Sequence, residues 1–471
     1  MPGISASKIA IPFNSVGFDE SAYWTTRTPI DLYAVVYRNT EADLAWIDAS
    51  GGEVPFRVYI STDGINYVEK GTTVAGDTTY TATGLTAGTL YYFYVKAYNG
   101  TNESPATNII DTYFKITVDT TKAGSADTHF ILPVTAKSAA SYFVDWGEGG
   151  AEEEFTTTGN KDHTYAASGT YQVKVRGGLT AIAFNNGGDK LKLMSIDNWG
   201  IIAWSSMANA YYGCANMTGT YTDNPNTAAV INMTFLFAQC VNFNSSVAGF
   251  NTGNVMYMSN MFYNCTVFNQ SVANFNTVKV TTFATMFYRA YAFNQSVANF
   301  NTATASNLYA MFIQCTAFKQ SLETFSLAAA TNVNDMCQGC DINAAGTTTN
   351  YDATLVAWAA ADVPNSLLFK GGTSKYGEVL VDNGTTDGAA ANKLIQSGQN
   401  FITTVTIGDV VYNTTDGTYA FVTGIDSDTQ LAISADIMAS GEVYRIQHGA
   451  GAKARASLII DDLWTITDGG F

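Results

Sequence analysis

The residues with the most specific chemistry in this chain are six cysteines and three histidines. Cys337 and Cys340 form a CxxC pair. A structural zinc site needs four ligands, usually two such pairs, and no second pair is present. Metal and redox roles are therefore not expected. Five of the cysteines, Cys214, Cys240, Cys265, Cys315 and Cys340, recur at a near-constant spacing, with Ala290 filling the gap. That pattern reads as a column of small buried side chains. A disulfide framework is the other reading, disfavoured at a periodic core position. His163 lies near Asp145 and Trp146 in a turn-rich stretch, and it reads as part of a turn network. His129 and His448 have no motif company. No GxSxG, HExxH, P-loop or strand-linked GxGxxG occurs. A glycosidase needs only two carboxylates, and the chain has 40 acids. Between Met207 and Cys340, however, the only acids are Asp223, Glu323 and Asp335. Glu152, Glu153 and Glu154 could touch a cation but read as a solvated loop. The expectation is a chain without catalytic residues, metal or cofactor.

The cysteine column belongs to a period of 25. Leu236, Met261, Met286, Met311 and Met336 share one slot, and Phe237, Phe262, Phe287 and Phe312 the next. Phe243, Phe268, Phe293 and Phe318 form a third column, and Phe250, Phe275, Phe300 and Phe325 a later one. Ser246, Ser271, Ser296 and Ser321 recur between them. An earlier copy, AYYGCANMTG from Ala210, precedes with a one-residue slip. A unit of this length cannot bury its apolar side alone, whereas stacked neighbours bury a continuous core. Equivalent residues would then form ladders about 4.8 Å apart wherever a turn of the stack is a strand. Asn and Ser ladders can hydrogen-bond along the stack, and a charged ladder would repel itself. This accounts for the scarcity of charge.

The pattern MFxxCxxFNQSVxxFNT over about 205–341 resembles the 25-residue repeats of BspA-like leucine-rich surface proteins. The resemblance implies a short right-handed solenoid over 178–341, with one strand and one short helical segment per coil. It also implies a role in adhesion and recognition. The family often carries Trp where this chain has Phe250, Phe275, Phe300 and Phe325. TNYDATLVAWAAADVPNSLLFKGGTSKYG and KARASLIIDDLWTITDGGF resemble the family's C-terminal cap, here split between 342–377 and 453–471. Leu355, Val356 and Trp358 would close one side of it. Leu458, Ile459, Leu463, Trp464 and Ile466 would close the other. The intervening 378–452 read as an inserted β module with a hairpin at Asp416-Gly417, placed in a surface loop where insertion is best tolerated. Its wording resembles modules of phage structural proteins. It is either a contact for partner or host or a neutral decoration.

Upstream, residues 28–116 alternate as a β-sandwich, with Trp46 in an early strand. TATGLTAGTLYYFYVKAYNG resembles the fibronectin type III pattern, which makes Tyr91 its tyrosine-corner residue. Residues 117–177 resemble a PKD domain. Asp145 and Trp146 lie at its strand end, and His163 and Tyr165 before a hairpin arm. Both families imply structural roles for these residues. The expected fold is mainly β and multidomain, with Ig-like sandwiches followed by a leucine-rich-repeat-type solenoid.

Charged residues are 13% of the 471, about half the ~25% typical of soluble domains. Net charge is −17, without the basic cluster that nucleic-acid binding requires. No apolar run of transmembrane length occurs. The N-terminal stretch lacks the pattern of a secretory signal, and 1–27 reads as a docking segment. These features lead to the expectation of a phage virion structural or adhesion protein (fibre, appendage or decoration). It would be made in the host cytoplasm, be present in multiple copies or as a homo-oligomer, and contact other virion proteins and a host surface glycan or protein. A bacterial cell-surface adhesin is the alternative, and a glycan-active enzyme the third class. Tyr211, Tyr212, Tyr257 and Tyr263 are candidates for stacking on sugars, with core or ladder packing as the competing role.

Overall fold

The computed structural model describes residues 28–38, 41–86, 89, 91–107 and 109–469. The expected docking segment 1–27 lies outside them. The chain divides into two compact units, Met1–Tyr113 with Thr222–Asn224, and Phe114–Tyr221 with Pro225–Phe471.

The first unit pairs β1 (Ile30–Arg38), β2 (Glu41–Ile47) and β5 (Thr79–Thr83) in one sheet. A second sheet has the order β4-β3-β6-β7, from β3 (Phe56–Ser61), β4 (Val68–Thr72), β6 (Tyr92–Ala97) and β7 (Ile110–Asp111). Strict alternation in β6 buries Phe93, Val95 and Ala97 and turns Tyr92, Tyr94 and Lys96 outward, as period-two side chains must. Trp46 meets Phe56 edge-on at 5.4 Å between the sheets. The Tyr91 hydroxyl accepts from the Thr86 N–H at 2.9 Å, which ties the corner before β6.

The second unit opens with β8 (Phe114–Asp119), β9 (His129–Asp145), β10 (Glu153–Phe155), β11 (Gly159–Thr164), β12 (Thr170–Ile182), β13 (Leu193–Asn198) and β14 (Thr218–Gly219). They form one sheet, β10-β9-β12-β8-β13-β14, with β11 on β9. β9 is long enough to pair β11 over its first residues, β10 over its last, and β12 from Val134 to Asp145. Asp145 accepts from Lys174 at 2.8 Å and from the Gly147 N–H at 2.8 Å. Gly147 has φ +89°, and a Cβ there would lie 2.6 Å from the Gln172 carbonyl, so the turn requires glycine. Trp146 stacks on His163 at 4.7 Å. Fully buried Lys192 donates to the carbonyls of Ser125, Ala126 and His129 at 2.7–3.0 Å. The apolar core does not stop at this sheet. Phe114, Trp199 and Trp204 belong to one buried cluster that continues through every repeat to Trp464, and β12 and β13 run past residue 177. Residues 117–177 thus share a core with the repeats.

The repeats stack in register. Parallel bridges join Asn232 to Tyr257, Tyr257 to Thr282, Thr282 to Asn307 and Asn307 to Asn332. The expectation of one strand and one helical segment per repeat fails here. Between β14 and residue 349 the described residues form neither, only isolated bridges and turns. The backbone explains why. Asn209, Phe235, Asn260, Thr285, Ala310 and Asp335 occupy one slot and all have φ of 56–60°. Gly213, Gln239, Asn264, Arg289, Gln314 and Gly339 occupy a second slot, also at positive φ. Two left-handed residues per repeat break any helix. They also turn alternate N–H groups toward the neighbour. Asn260 N donates to Ala284 O, Phe262 N to Met286 O and Asn264 N to Tyr288 O, while Met261, Tyr263 and Cys265 close turns on the residue three back. Each left-handed non-glycine residue costs about 1–2 kcal/mol, which the inter-repeat hydrogen bonds and core packing offset.

Side chains form the expected columns. Phe237, Phe262, Phe287 and Phe312 stack at 5.5–5.9 Å. Phe243, Phe268, Phe293 and Phe318 stack at 6.0–6.1 Å. Within a repeat the two columns touch at 4.0–4.3 Å. Ring spacing exceeds 4.8 Å because the rings are offset, the favoured arrangement for aromatic pairs. Met261, Met286 and Met311 are fully buried beside them. Buried Thr227, Thr252, Thr277 and Thr302 each donate to a carbonyl 24 residues on, at 2.8–3.1 Å. Asn244, Asn269 and Asn294 each accept from the backbone of the following repeat at 2.8–2.9 Å.

The stack ends at α1 (Thr349–Ala359) and β15 (Leu368–Lys370). Trp358 Nε1 donates to the Phe325 carbonyl at 3.1 Å and lies over the last turn of the stack. An inserted sheet comes next, from β16 (Val379–Thr385), β17 (Lys393–Ile395), α2 (Phe401–Thr404), β18 (Val410–Asn413), β19 (Thr418–Ser427), β20 (Gln430–Ile433) and β21 (Val443–His448). Its order is β16-β21-β18-β19-β20-β17, and it has a core of its own around Phe401, Val422 and Ile446. The chain then returns through α3 (Ala450–Ile460) and β22 (Thr465–Thr467), which pairs in parallel with β15. Leu355, Trp358, Leu458 and Trp464 are buried as closing residues, and Ile459 and Ile466 are half-buried. Val356 and Leu463, expected with them, are 40% and 61% exposed. Val356 falls on the outer side of α1, and Leu463 sits in a left-handed turn.

Two substitutions probe this packing. Phe287→Ala should cost about 3–5 kcal/mol in denaturant unfolding, as for a buried aromatic. Asn260→Val should cost about 1–2 kcal/mol, because a β-branched residue is strained at positive φ. A valine variant as stable as the parent would show that this slot carries no conformational demand.

Candidate ligand-binding groove

The cysteine column singled out by its spacing is buried, and all six thiols are free. Each of four thiols can donate to a neighbouring repeat: Cys240 Sγ reaches the Tyr211 carbonyl at 3.0 Å, Cys265 that of Phe237 at 2.9 Å, Cys315 that of Ala290 at 3.0 Å and Cys340 that of Phe312 at 2.6 Å. Burial pushes every one of these thiols up, Cys340 to about 12. Low-pKa reactivity of the kind redox cysteines use is thereby suppressed. Cys337 is equally buried, and its pKa is raised by the same cause.

Each histidine meets a carboxylate: His129 Nδ1 with Asp162 at 3.0 Å, His163 Nε2 with Glu148 at 3.0 Å, His448 Nδ1 with Asp409 at 2.6 Å. The first two use consecutive residues of β11, Asp162 and His163, and the third lies in the insert. In the acidic run, Glu152 is bound to Arg176, and Glu153 accepts from Trp146 Nε1 at 3.0 Å. Asp145, Trp146, His163 and Tyr165 do come together around one turn. Tyr165 is 2% exposed, with its ring 3.8 Å from that of Tyr171. Tyr211 is buried against Phe237, Tyr212 stacks on Phe235 and Tyr263 on Tyr288. Tyr257 remains 40% exposed.

A groove that the sequence alone did not reveal opens where the inserted module meets the cap. β18 and β19 are joined at Asp416-Gly417, and their register sets Tyr412 opposite Tyr419. The two rings stack at 4.6 Å, as cross-strand neighbours can. α3 brings Arg455, 9% exposed, beneath them. Arg455 Nη1 donates to the Tyr419 hydroxyl at 2.8 Å and Nε to Asp468 Oδ2 at 2.8 Å. Its guanidinium carbon lies 5.4 Å from the Tyr376 ring centroid and 5.6 Å from that of Tyr419, within cation–π range. Asp468, just past β22, also accepts from the Tyr351 hydroxyl at 2.9 Å. Burial alone would lower the pKa of Arg455, but Asp468, Tyr419 and Tyr376 together outweigh it, and the guanidinium is held firmly cationic. Burial raises Tyr376 and Tyr419, so both remain phenols. The groove has a volume of about 390 Å³, with Ile466, Thr467 and Gly469 completing its lining. Among its described lining residues Asp468 is the one carboxylate, and it is committed to Arg455. This arrangement can hold a ligand, but it does not present the two opposed carboxylates of glycoside hydrolysis. The sequence signal was the symmetric YNTTDGTY around the hairpin turn. Tyr376, Arg455 and Asp468 come from distant segments.

Comparison with known proteins separates the chain into parts. Residues 21–113 match the fibronectin type III domain, so the first sandwich is of that type. Residues 181–277 and 250–351 match a family described as Mycoplasma protein of unknown function, DUF285. No curated protein matches the chain. Among solved structures, an Fn3-like protein from Clostridium thermocellum is 31% identical, covering 18% of this chain and 90% of that one, with a TM-score of 0.17. A two-domain fibronectin type III segment of chicken tenascin is 17% identical, over 32% and 92%, at 0.17. Titin domains A168–A170 are 20% identical over 18% of this chain, which spans 30% of that fragment, at 0.16.

The thiol column predicts an alkaline limit. Below the ordinary thiol value of 9.0 both folded and unfolded chains keep their protons. Above it the unfolded thiols ionise first, while Cys340 in the fold waits until about 12. Stability should therefore fall as pH rises from about 9 toward 12. Replacing Cys240, Cys265 and Cys315 by Ala should flatten that fall in urea midpoints. A thiol reagent at pH 8 should label the native chain only as fast as it unfolds.

Proposed function

We propose that this chain is a non-enzymatic recognition protein displayed on a surface. A fibronectin type III domain, the 117–177 turn network of PKD type and a BspA-like solenoid of 25-residue repeats would form its scaffold, and the split cap with its insert would present the contact. The observation that carries this reading is the groove, assembled jointly by the inserted module and the cap. Rings and one locked ion pair line it, where a hydrolase would place acid and base. The scaffold suits display. From Phe114 to the cap its core is one continuous buried cluster, and its outer ladders are amides and hydroxyls that meet water without charge.

The favoured setting is a phage virion, as fibre, appendage or decoration, in several copies, contacting other virion proteins and a host surface. The match of the repeats to a Mycoplasma family favours a second setting, a bacterial cell-surface adhesin. Both share the recognition role. Antibody to the purified chain should label intact particles in the first case and unbroken cells in the second. Purified chain should also adhere to host cells. Label on neither surface, together with no adherence, would end this reading.

A further inference from the structure

The groove at the cap points to a class of ligand, and the inference rests on the recognition role proposed above. We propose that it binds a neutral saccharide of one or two rings, at the end of a glycan chain.

The walls of the groove are aromatic. Tyr412 and Tyr419 supply ring surface from the insert, and Tyr376, 4% exposed, backs them from the cap. Tyr412 and Tyr419 remain half-buried rather than sealed. Sugars present C–H patches that pack on aromatic rings, and hydroxyls that need fixed donors and acceptors close by. At the base lie Arg455, whose guanidinium carries further N–H groups, and the Tyr419 hydroxyl, which accepts from Arg455 and can still donate. They are held in place before any ligand arrives. Arg455 is fixed by Asp468, by the Tyr419 hydroxyl and by the Ile466 carbonyl at 3.4 Å. Tyr351 braces Asp468 from behind. Such support is what a precise binding site needs.

Charge narrows the class. The Arg455 cation is matched by the Asp468 anion at 2.8 Å, so the base of the groove offers no net charge to a carboxylate or sulfate. The chain as a whole carries −17, which disfavours anionic sugars further. Size narrows it again. About 390 Å³ lies near the lower end of the roughly 300–1,000 Å³ of small-molecule pockets. That is room for a terminal sugar and its neighbour.

The test is titration calorimetry of the full chain with lactose, maltotriose and N,N′-diacetylchitobiose, and with sialyllactose as the charged comparator. At least one neutral sugar should bind. Tyr412→Ala and Tyr419→Ala should each weaken it about tenfold or more, as for a central aromatic contact. Arg455→Lys, which keeps the charge but loses the fork to Asp468 and Tyr419, should weaken it as well. Ile65→Ala, on the other unit and 81% exposed, should change nothing. Tyr419→Phe keeps the ring, so a folded Phe variant with near-parental binding guards against loss through misfolding. Binding by none of the neutral sugars overturns the proposal. So does binding of sialyllactose alone, or neutral binding that survives both alanine variants. A chain that adheres to cells but binds no neutral sugar leaves the recognition role standing and removes the saccharide. A chain that binds sugar at the groove but labels no surface does the reverse.

Discussion

The hydrogen bonds between successive repeats are the constraint on which the second unit depends. Alternate N–H groups of each repeat donate to the next one, and they can do so because two residues per repeat are left-handed. A helix would have spent those donors internally, and a strand would have needed longer runs of extended backbone. The repeat settles on a turn ribbon whose alternate donors face the following repeat, with a bond back to the preceding one at its edge, as from Thr281 N to Met256 O. Columns of Phe, Met and Cys then fall into place as a consequence of register. The buried Thr ladder and the more exposed Asn ladder satisfy backbone groups that the ribbon leaves over. A buried polar group without such a partner would cost more than the ladder gains.

This arrangement also explains the composition. A ladder side chain has its own kind above and below it, so a charge at a ladder slot would face like charge within about 5 Å. Amides and hydroxyls both donate and accept, and can repeat indefinitely. The thiols follow the same logic in the interior. All are small enough for a core slot, and four still provide a weak donor to the adjacent repeat. Ala290 fills the slot without that donor and leaves the geometry unchanged.

Much of this was legible in the residues, and the illegible part has physical causes. The period of 25, the columns it aligns and the buried cysteine slot follow from spacing alone. So does the hairpin at Asp416-Gly417, since Asp-Gly flanked by alternating apolar residues favours a tight turn. The left-handed slots were hidden. Asn209, Asn260 and Gly213 hint at them, but Phe235, Thr285 and Ala310 have no such local preference, and neighbours impose the conformation. Strand and helix were expected from resemblance, and the ribbon replaced both. The boundary drawn at residue 177 follows a change of pattern, while the core runs on beneath it. Arg455 was invisible as a site residue because its partners Tyr376, Tyr419 and Asp468 converge only after the cap has closed around the insert.

The insert enters and leaves the cap on adjacent antiparallel strands, with Val379 paired to His448. Its two ends therefore emerge side by side, and its core is its own. A different module with neighbouring termini could be exchanged at the same doorway without disturbing Trp358 or the stack beneath. Such a swap would replace Tyr412 and Tyr419, two of the groove's three tyrosines, and keep the Arg455–Asp468 pair of the cap. Within the recognition role proposed above, the cap would act as a socket whose ligand preference changes when one cassette is replaced.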